Sequence, residues 1–323
     1  MTTPLTLGNL TFDNNLIQGP LAGISCAPFR RLTWQHSKPA FSCTEMISCK
    51  TLLHHPLATQ KRFTTKALDE GPVCFQLSGA DSRELGQATR ISTQLGADLI
   101  DLNCGCPVNK IRKKGAGSSL LLQPDNLYQL IRAMKDNTHV PVSIKIRVQG
   151  FGPDRFHDEL IKAINASGLD YLIVHGRHWT EHYETTCHYE DIRFFVEHLN
   201  LPVIGNGDIA DVASLQTMLA TGCAGVMIGR AGVGQPWLIG QLKALLAAET
   251  FHTPSQYAIG SMFMEHVSEL SALLGSEKFA LLQARKIAKY YSRRIPARLE
   301  FCAQMNNCEK LEHFETLVRF FFN

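Results

Sequence analysis

The 323-residue sequence lacks the marks of several protein classes. None of its ten cysteines lies in a Cys-x-x-Cys pair or follows zinc-ribbon spacing, so we expect no metal site. Residues 1–12 contain no basic stretch followed by an apolar core, and no apolar run is long enough to cross a bilayer. We therefore expect a cytoplasmic protein with reduced thiols and without a membrane partner.

Charge of one sign is also scarce, because 32 basic residues face 29 acidic ones and the net charge is only +3. An excess this small does not by itself indicate a polyanionic partner, so any nucleic-acid surface must come from local clusters. With 19% charged and 45% hydrophobic residues, the composition argues against disorder and allows a large buried core.

Eight short apolar runs, each followed by a helical stretch, organise most of the chain. They occupy residues 16–19, 40–44, 73–77, 99–102, 142–146, 171–174, 203–205 and 225–228. Their continuous hydrophobicity is typical of parallel strands buried on both faces. We predict an α/β fold, a (β/α)8 TIM barrel. The alternative is an open doubly wound sheet, which is weakened because no G-x-G-x-x-G follows the first run.

Two local patterns accompany this rhythm. Residues 5–12, with Gly8-Asn9 in the middle, predict a small hairpin. Residues 81–95 predict a helix, because Asp81 can cap it and Glu84 follows three residues later. The buried face of that helix is predicted to hold Leu85, Ala88, Ile91 and Leu95.

The alternation of apolar runs and helical stretches stops near Ala248. Residues 249–255 contain Thr253-Pro254 and predict a linker, and residues 262–274, 279–294 and 308–322 predict helices. We expect two domains, a catalytic barrel over residues 1–248 and a small all-α helical domain over residues 249–323.

Chemistry in such a barrel lies where the strands end. The first run ends in Gly19-Pro20-Leu21-Ala22-Gly23, whose small residues let the backbone approach a flat ring, although a simple tight turn has the same composition. The third ends in Gln76, whose amide suits the edge of a flavin or a pyrimidine but equally suits a structural hydrogen bond.

The fourth run ends in Asn103-Cys104-Gly105-Cys106-Pro107. Two thiols separated by one glycine suggest either a metal or redox pair, or one proton-donating cysteine on a mobile loop. A thiol of ordinary pKa, about 8.5, is mostly protonated at neutral pH and can deliver a proton to a carbanion. Gly115 and Gly117 downstream are compatible with a loop that opens and closes.

The later runs end in cationic and glycine-rich groups. Alternation places Lys145 and Arg147 on one side of the fifth strand, facing either an electron-rich ligand such as a reduced flavin or a buried acid such as Asp101. The last three runs end in His175-Gly176-Arg177, Asn206-Gly207-Asp208 and Gly229-Arg230. Backbone N–H groups of the last two loops predict a phosphate site.

In this order and composition, the motifs resemble those of the tRNA-dihydrouridine synthase family, nearest to its bacterial B-type. The resemblance covers roughly residues 5–245, and its specific elements are Gly-Cys-Pro at 105–107, Lys-Ile-Arg at 145–147 and His-Gly-Arg at 175–177. It implies non-covalently bound FMN, NADPH as the reductant of FMN, and reduction of the C5–C6 double bond of a D-loop uridine in tRNA.

The resemblance also implies residue roles. A hydride passes from flavin N5 to the uracil ring, and Cys106 donates the proton. The cofactor-binding residues are Pro20, Leu21, Ala22, Gln76, Lys145, His175, Asn206, Gly207, Asp208, Gly229 and Arg230. The tRNA substrate is assigned to Asn103, Arg147 and Arg177, and to the basic residues Lys113, Lys286, Lys289 and Arg293. Cys106 and Lys145 are expected to converge over one flavin plane at the rim of the barrel.

The basic residues lie in two clusters, at 110–114 and 285–298. On a helix, Lys286, Lys289 and Arg293 share a face, with Tyr290 and Tyr291 available for packing or base stacking. The alternative for both clusters is a solvated helical surface. We expect a monomer with the helical domain contacting tRNA, and the uridine flipped out of the RNA to enter the barrel.

The sequence departs from the family pattern at the barrel mouth. The family usually has Thr-Arg after His-Gly-Arg, whereas this chain has His178-Trp179 followed by an unusual loop at 180–188. Two rival functions are the alternatives. A small-molecule FMN oxidoreductase of the dihydroorotate dehydrogenase-like class would not need a basic helical appendage, and a non-catalytic RNA-binding barrel would not need Cys106 and Lys145.

Overall fold

Eight parallel strands close into a barrel in the computed structural model, which describes residues 2–148, 155–182 and 184–323. The strands are β1 (Leu5–Leu7), β2 (Leu10–Phe12), β3 (Leu16–Gln18), β4 (Ser42–Cys43), β5 (Ile47–Ser48), β6 (Val73–Ser78), β7 (Leu99–Cys104), β8 (Val142–Val148), β9 (Tyr171–His178), β10 (Val203–Asn206) and β11 (Gly225–Ile228). The barrel order is β3, β4, β6, β7, β8, β9, β10 and β11, and β11 pairs back onto β3.

Closure of this ring confirms the predicted TIM barrel and excludes the open sheet. It depends on β4, which pairs with β3 through Ser42 and with β6 through Ser42 and Cys43. Each of the eight predicted apolar runs overlaps one barrel strand, and five of the strands extend past the end of their run. The short β5 was not predicted; it extends the pairing along β6, where Ile47 lies opposite Leu77.

The predicted hairpin is formed by β1 and β2, which are antiparallel with Leu5 opposite Phe12. Gly8 turns it with a φ of 57°, a conformation that glycine adopts readily. Leu5, Leu7 and Phe12 are buried in one cluster with residues of the barrel interior such as Tyr171. The hairpin therefore packs against one end of the barrel interior.

Helices surround the barrel and continue beyond it. They are α1 (Ala27–Ser37), α2 (Cys49–His54), α3 (Leu57–Thr64), α4 (Ser82–Gln94), α5 (Asn109–Arg112), α6 (Pro124–Lys135), α7 (Arg155–Ala166), α8 (Tyr189–His198), α9 (Val212–Leu219), α10 (Leu238–Leu246), α11 (Gln256–Leu274), α12 (Glu277–Tyr291), α13 (Arg298–Met305) and α14 (Leu311–Phe321). Among the helices described, none has the length and apolar character that a bilayer crossing requires.

Helix α4 shows how local sequence sets a helix boundary. Asp81 caps it, accepting from the backbone N–H of Glu84 at 2.8 Å, as predicted. Leu85 and Ala88 are buried against the barrel, but Leu95 is 37% exposed. The prediction for Leu95 was wrong because the helix ends at Gln94, and the helical periodicity does not extend past that residue.

The C-terminal helices form an all-α unit that shares a core with the barrel. Residues 249–255 carry no helix or strand, as the predicted linker requires. Phe263 stacks on Tyr291 with ring centroids 4.5 Å apart, and the same buried cluster includes Phe29 and Leu32 of α1. Gly234, in the loop after β11, packs tightly against the backbone of Tyr290. This contact places α12 beside the end of the last barrel strand.

Candidate active site

A cavity of about 580 Å³ lies where the barrel strands end. Its walls come from the ends of β3, β8, β9, β10 and β11 and from the C-terminal helices. The lining residues are Gly19, Pro20, Leu21, Lys145, His175, Arg177, Asn206, Gly207, Asp208, Ile209, Ala210, Met227, Gly229, Arg230, Ala231, Lys289, Tyr290, Arg293 and Arg298.

Most residues predicted to hold a cofactor lie in this one lining. They are Pro20, Leu21, Lys145, His175, Asn206, Gly207, Asp208, Gly229 and Arg230. Ala22 and Gln76 lie outside it: Ala22 is exposed in the loop after β3, and Gln76 is buried in β6. Residues as far apart in sequence as Pro20 and Arg230 meet because β11 pairs with β3 when the barrel closes.

The loop after β10 has an unusual backbone. Gly207 has a φ of 140° and Asp208, which is not a glycine, has a φ of 54°. The Asp208 carboxylate accepts from Arg177 and from the backbone N–H of Cys187 at 3.0 Å. These contacts fix the loop. Arg177, a predicted tRNA-binding residue, is only 1% exposed and lies in the cavity wall.

Open space adjoins the loop after β11. A Cβ atom built on Gly229 would meet no other atom within 4 Å, so this glycine borders the cavity directly. Arg230 follows it, with its guanidinium 3.8 Å from Asp208. The two loops thus bring glycine backbone and a cationic side chain together, which is the composition of a phosphate grip.

His175 is neutral in this setting. Burial lowers its pKa far below the usual value, and the positive charges of Lys145, Arg147, Arg177 and Arg230 lower it further. Its Nε2 lies 3.1 Å from Nη1 of Arg177. Because arginine can only donate, Nε2 must accept and the ring proton must sit on Nδ1.

Lys145 also lines the cavity. Its Nζ donates to Oδ1 of Asn206 at 2.8 Å, and Nδ2 of Asn206 donates to the Met227 carbonyl at 2.8 Å. This bond uses one of the three donors that a lysine carries. Burial lowers the pKa of Lys145 to about 8, against an opposing effect of Asp101. The amine is therefore a cation that neutralises more readily than ordinary lysine.

A chain of amides leads from the barrel interior to Cys106. Gln76 donates to Asp101 at 2.8 Å, Asn103 donates to Oε1 of Gln76 at 3.0 Å, and the backbone N–H of Cys106 donates to Oδ1 of Asn103 at 3.0 Å. Ser143 donates to the other oxygen of Asp101 at 2.7 Å. The predicted tRNA-binding Asn103 and cofactor-binding Gln76 therefore position one another.

Asp101 is the buried acid that was the alternative partner for Lys145. Burial raises its pKa to about 7. Its carboxylate is hydrogen-bonded to Gln76 and Ser143, while Lys145 is hydrogen-bonded to Asn206. The interaction between Asp101 and Lys145 is thus electrostatic, without a direct ion pair among the described contacts, and the lysine faces the cavity.

The two cysteines of the loop differ in exposure. Cys104 is fully buried, and burial raises its pKa well above the usual value. Cys106 is half-buried, outside the lining of the cavity. Cys106 stands two residues beyond the end of β7, on which Asn103 is paired with Lys145 of β8. Convergence of the Cys106 thiol and the Lys145 amine over one plane stays a prediction.

Arg147 has contacts that the sequence did not indicate. It is 4% exposed, and Nη1 donates to the carbonyls of His178 at 3.1 Å and Glu181 at 3.2 Å. Arg147 therefore fixes the unusual turn after β9. Its contact with uracil stays a prediction, as does the role of the 180–188 loop, in which Tyr183 lies outside the described residues.

The predicted basic face of α12 divides into two parts. Lys286 and Lys289 are exposed, as is Lys113 in the first basic cluster. Arg293 is half-buried and donates to the carbonyls of Tyr290 at 2.9 Å and Val233 at 2.5 Å, so it joins the helical unit to the barrel. Tyr291, at 2% exposure, packs in the core and cannot stack on a base.

The sequence assigned no individual role to two residues near the site. Arg298, at the start of α13, lines the cavity. Glu45 is buried; its carboxylate accepts from the backbone N–H of Gly23 at 2.5 Å and from Arg62 at 2.9 Å. Nothing in the local sequence around Glu45 indicates partners 22 residues earlier and 17 residues later.

Comparisons with known proteins agree with this architecture. Residues 17–322 match the model of the dihydrouridine synthase (Dus) family. The chain is 31% identical to tRNA-dihydrouridine synthase B of Escherichia coli (strain K12) over 324 residues, which is 99% of each chain. It is 31% identical to the protein of that name from Pseudomonas syringae pv. tomato over 319 residues, 98% of this chain and 94% of the relative.

A similar relation holds for tRNA-dihydrouridine synthase B of Pasteurella multocida, which is 30% identical over 288 residues, 88% of this chain and 86% of the relative. Among solved structures, histamine dehydrogenase from Rhizobium sp. 4-9 matches with a TM-score of 0.58 and 12% identity. That match covers 83% of this chain and 50% of the other. At this identity the likeness concerns the fold alone.

Proposed function

The chain belongs to the dihydrouridine synthase family, and from this premise we propose that it is a flavin-dependent tRNA-dihydrouridine synthase. It reduces the C5–C6 double bond of a D-loop uridine in tRNA, with FMN as the bound cofactor and NADPH as the reductant of FMN. The observation that carries the proposal is that one cavity is lined by Gly229, Arg230 and Lys145 together.

The cavity fits a flavin nucleotide in its distribution of groups. Gly229 borders open space beside Arg230, which suits a phosphate. In the same lining, Pro20 and Leu21 offer apolar surface and Lys145 offers a cation for the electron-rich edge of a ring. A flavin bound there would supply the hydride that reduction of a carbon–carbon double bond requires.

The residues that would hold FMN are those of the predicted set. His175, Asn206, Gly207, Asp208, Gly229 and Arg230 serve the phosphate end, Pro20, Leu21 and Ala22 the ring, and Gln76 and Lys145 its polar edge. Asp208 contributes by holding its loop through Arg177, because a carboxylate next to a phosphate would repel it. Arg230 offers the compensating charge.

Cys106 is the proposed general acid. Addition of a hydride to C6 of uracil leaves negative charge at C5 and O4, and C5 must take a proton to complete the reduction. The Cys106 thiol is half-buried, and its backbone is tied to Asn103 at 3.0 Å, so the group is both accessible and positioned. Asn103 and Arg147 are proposed to contact the uracil.

The tRNA is proposed to lie across the exposed cations Lys113, Lys286 and Lys289, which neutralise backbone phosphates. The uridine must leave the RNA stack to reach the cavity. The protein is proposed to act as a monomer.

The deciding experiment is mass mapping of dihydrouridine in tRNA from cells with and without this protein, followed by reconstitution with unmodified tRNA, FMN and NADPH. Loss of dihydrouridine at one D-loop position, restored by the purified protein, is the expected result. Turnover of free pyrimidines without any need for tRNA would instead identify a small-molecule FMN oxidoreductase. Protein that cannot be loaded with FMN would contradict both.

A further inference from the structure

Arg112 stacks on Trp179, with its guanidinium carbon 3.3 Å from the centroid of the indole ring. Both side chains are half-buried. Arg112 ends α5, which follows the Cys106 loop, and Trp179 follows β9 where the sequence departs from the family pattern. A planar guanidinium over an indole face is a favourable cation–π arrangement. The stack therefore connects two segments that are far apart in the sequence.

On one side, Arg112 belongs to the packed segment that carries Cys106. The backbone N–H of Ser118 donates to the Cys106 carbonyl at 3.1 Å. A Cβ atom on Gly117 would lie 2.7 Å from that carbonyl oxygen and 3.0 Å from Ile111. Because Gly117 has no side chain and a φ of 65°, Cys106 and Ile111 can both pack against it. Because Ile111 directly precedes Arg112, this packing joins Arg112 to the Cys106 loop.

On the other side, Trp179 belongs to a turn that is fixed to the barrel. Arg147 donates to the His178 carbonyl at 3.1 Å and to the Glu181 carbonyl at 3.2 Å, one before and one after Trp179 in the chain. The Glu181 carboxylate accepts from the backbone N–H of His178 at 2.7 Å. A Cβ atom on Gly105 would lie 3.2 Å from the Arg147 nitrogen, so Arg147 also packs beneath the Cys106 loop.

These contacts form a closed ring that runs from Gly105 to Arg147, through the turn to Trp179, and back through Arg112 to Cys106. We propose that Trp179 and Arg112 are positioning residues that hold the Cys106 loop in place for proton donation to the substrate. The proposal rests on the proposed function, because it assigns the pair to the Cys106 step. Neighbouring Lys110 and Lys113 are exposed, so Arg112 differs from the other cations of its cluster.

The test follows the accessibility of the Cys106 thiol in the flavin-loaded protein. Trp179→Ala and Arg112→Ala are each expected to raise the rate of Cys106 alkylation by iodoacetamide roughly 5- to 30-fold, the effect of one lost cation–π contact. Rates are read by mass spectrometry of the Cys106 peptide. The alkylation rate of the double variant should not exceed that of either single variant, because either change opens the same ring of contacts.

Conservative changes separate positioning from a general loss of structure. Trp179→Phe and Arg112→Lys retain an aromatic face or a cation and should recover part of the protection. Lys110→Ala removes a charge from the same helix without touching Trp179 and should leave the alkylation rate unchanged. Unchanged alkylation in both alanine variants would overturn the proposal.

The substrate reaction gives a second readout. In single turnover with unmodified tRNA, both alanine variants should form dihydrouridine more slowly while tRNA affinity and flavin reduction by NADPH persist. If Trp179→Ala weakens tRNA binding but leaves Cys106 alkylation unchanged, Trp179 contacts RNA directly and the proposed positioning role is wrong. If the unaltered protein forms no dihydrouridine, the proposed function fails. The alkylation rates then still decide whether Trp179 and Arg112 hold the Cys106 loop.

Discussion

Arg177 and Asp208 form an ion pair in which Nη2 donates to both carboxylate oxygens, at 2.6 and 2.5 Å. Asp208 has a φ of 54°, a conformation that is costly for a residue with a side chain. The pair holds that conformation at the loop where a phosphate is proposed to bind. The acid therefore serves the site indirectly, by shaping its backbone.

Asp208→Asn should test this relationship without adding backbone strain, because asparagine tolerates the left-handed region. The change leaves the buried Arg177 without its counter-ion and should lower the free energy of unfolding by about 1.5–3 kcal/mol. Flavin affinity should fall as well. Urea unfolding and flavin fluorescence measure the two effects. Glu190→Gln, which alters a surface pair with Arg193, is the control and should change neither.

Cys106→Ala should retain flavin and lose dihydrouridine formation by about 10²- to 10⁴-fold, the contribution of a positioned general acid. The cause is the missing proton for C5, since the alanine leaves the cavity lining intact. Single-turnover assays on unmodified tRNA measure the loss. Cys302→Ala alters the other half-buried cysteine, in α13, and should remain active. A normal product yield from Cys106→Ala would refute its assignment as the acid.

Lys145 should make flavin affinity depend on pH. Burial lowers its pKa to about 8, so the amine is charged below that pH and loses its proton above it. The charged form attracts the electron-rich flavin edge, and affinity should therefore fall as pH rises through about 8, by up to about tenfold per pH unit. Flavin titrations on either side of this pH measure it. The same pH profile in Lys145→Met would contradict the role.

Lys286→Glu and Lys289→Glu should weaken tRNA binding, because both side chains are exposed on α12. Each lost phosphate contact should also reduce the slope of affinity against salt by about one. Lys310→Glu, an exposed cation before α14, is the matched control. Arg293→Glu should instead destabilise the protein, since Arg293 donates to the Val233 carbonyl of the barrel. Unchanged tRNA affinity in the two lysine variants would remove α12 from the interface.

Local chemistry made much of the fold predictable. Continuous apolar runs mark strands buried on both faces, and the run at 142–146 became β8 for that reason. Asp81 capped α4 because a cap depends only on the next few residues. Ends of elements were less certain: Leu95 lies beyond the helix to which its spacing assigned it.

The sequence predicted which residues gather at the barrel rim wherever the position of a residue in its strand-and-helix unit sets its direction; their roles stay predictions. Lys145 lies in β8 and Gly229 directly follows β11, and all strands of a parallel barrel end at one rim, so their meeting in one cavity follows from the order of elements. Partners could not be predicted in this way. Arg147 fixes a turn, and Tyr291 is buried in the helical core, because packing between distant segments selected those contacts.

The sequence by itself determined the eight strand-and-helix units, the glycine-rich ends of the last strands and the thiol at Cys106, since each depends on neighbouring residues. Only the tertiary structure decided that Arg177 pairs with Asp208, that Arg112 stacks on Trp179 and that Arg298 lines the cavity. The physical reason is chain closure: residues tens of positions apart meet only when the barrel ring is complete and the C-terminal helices pack on it.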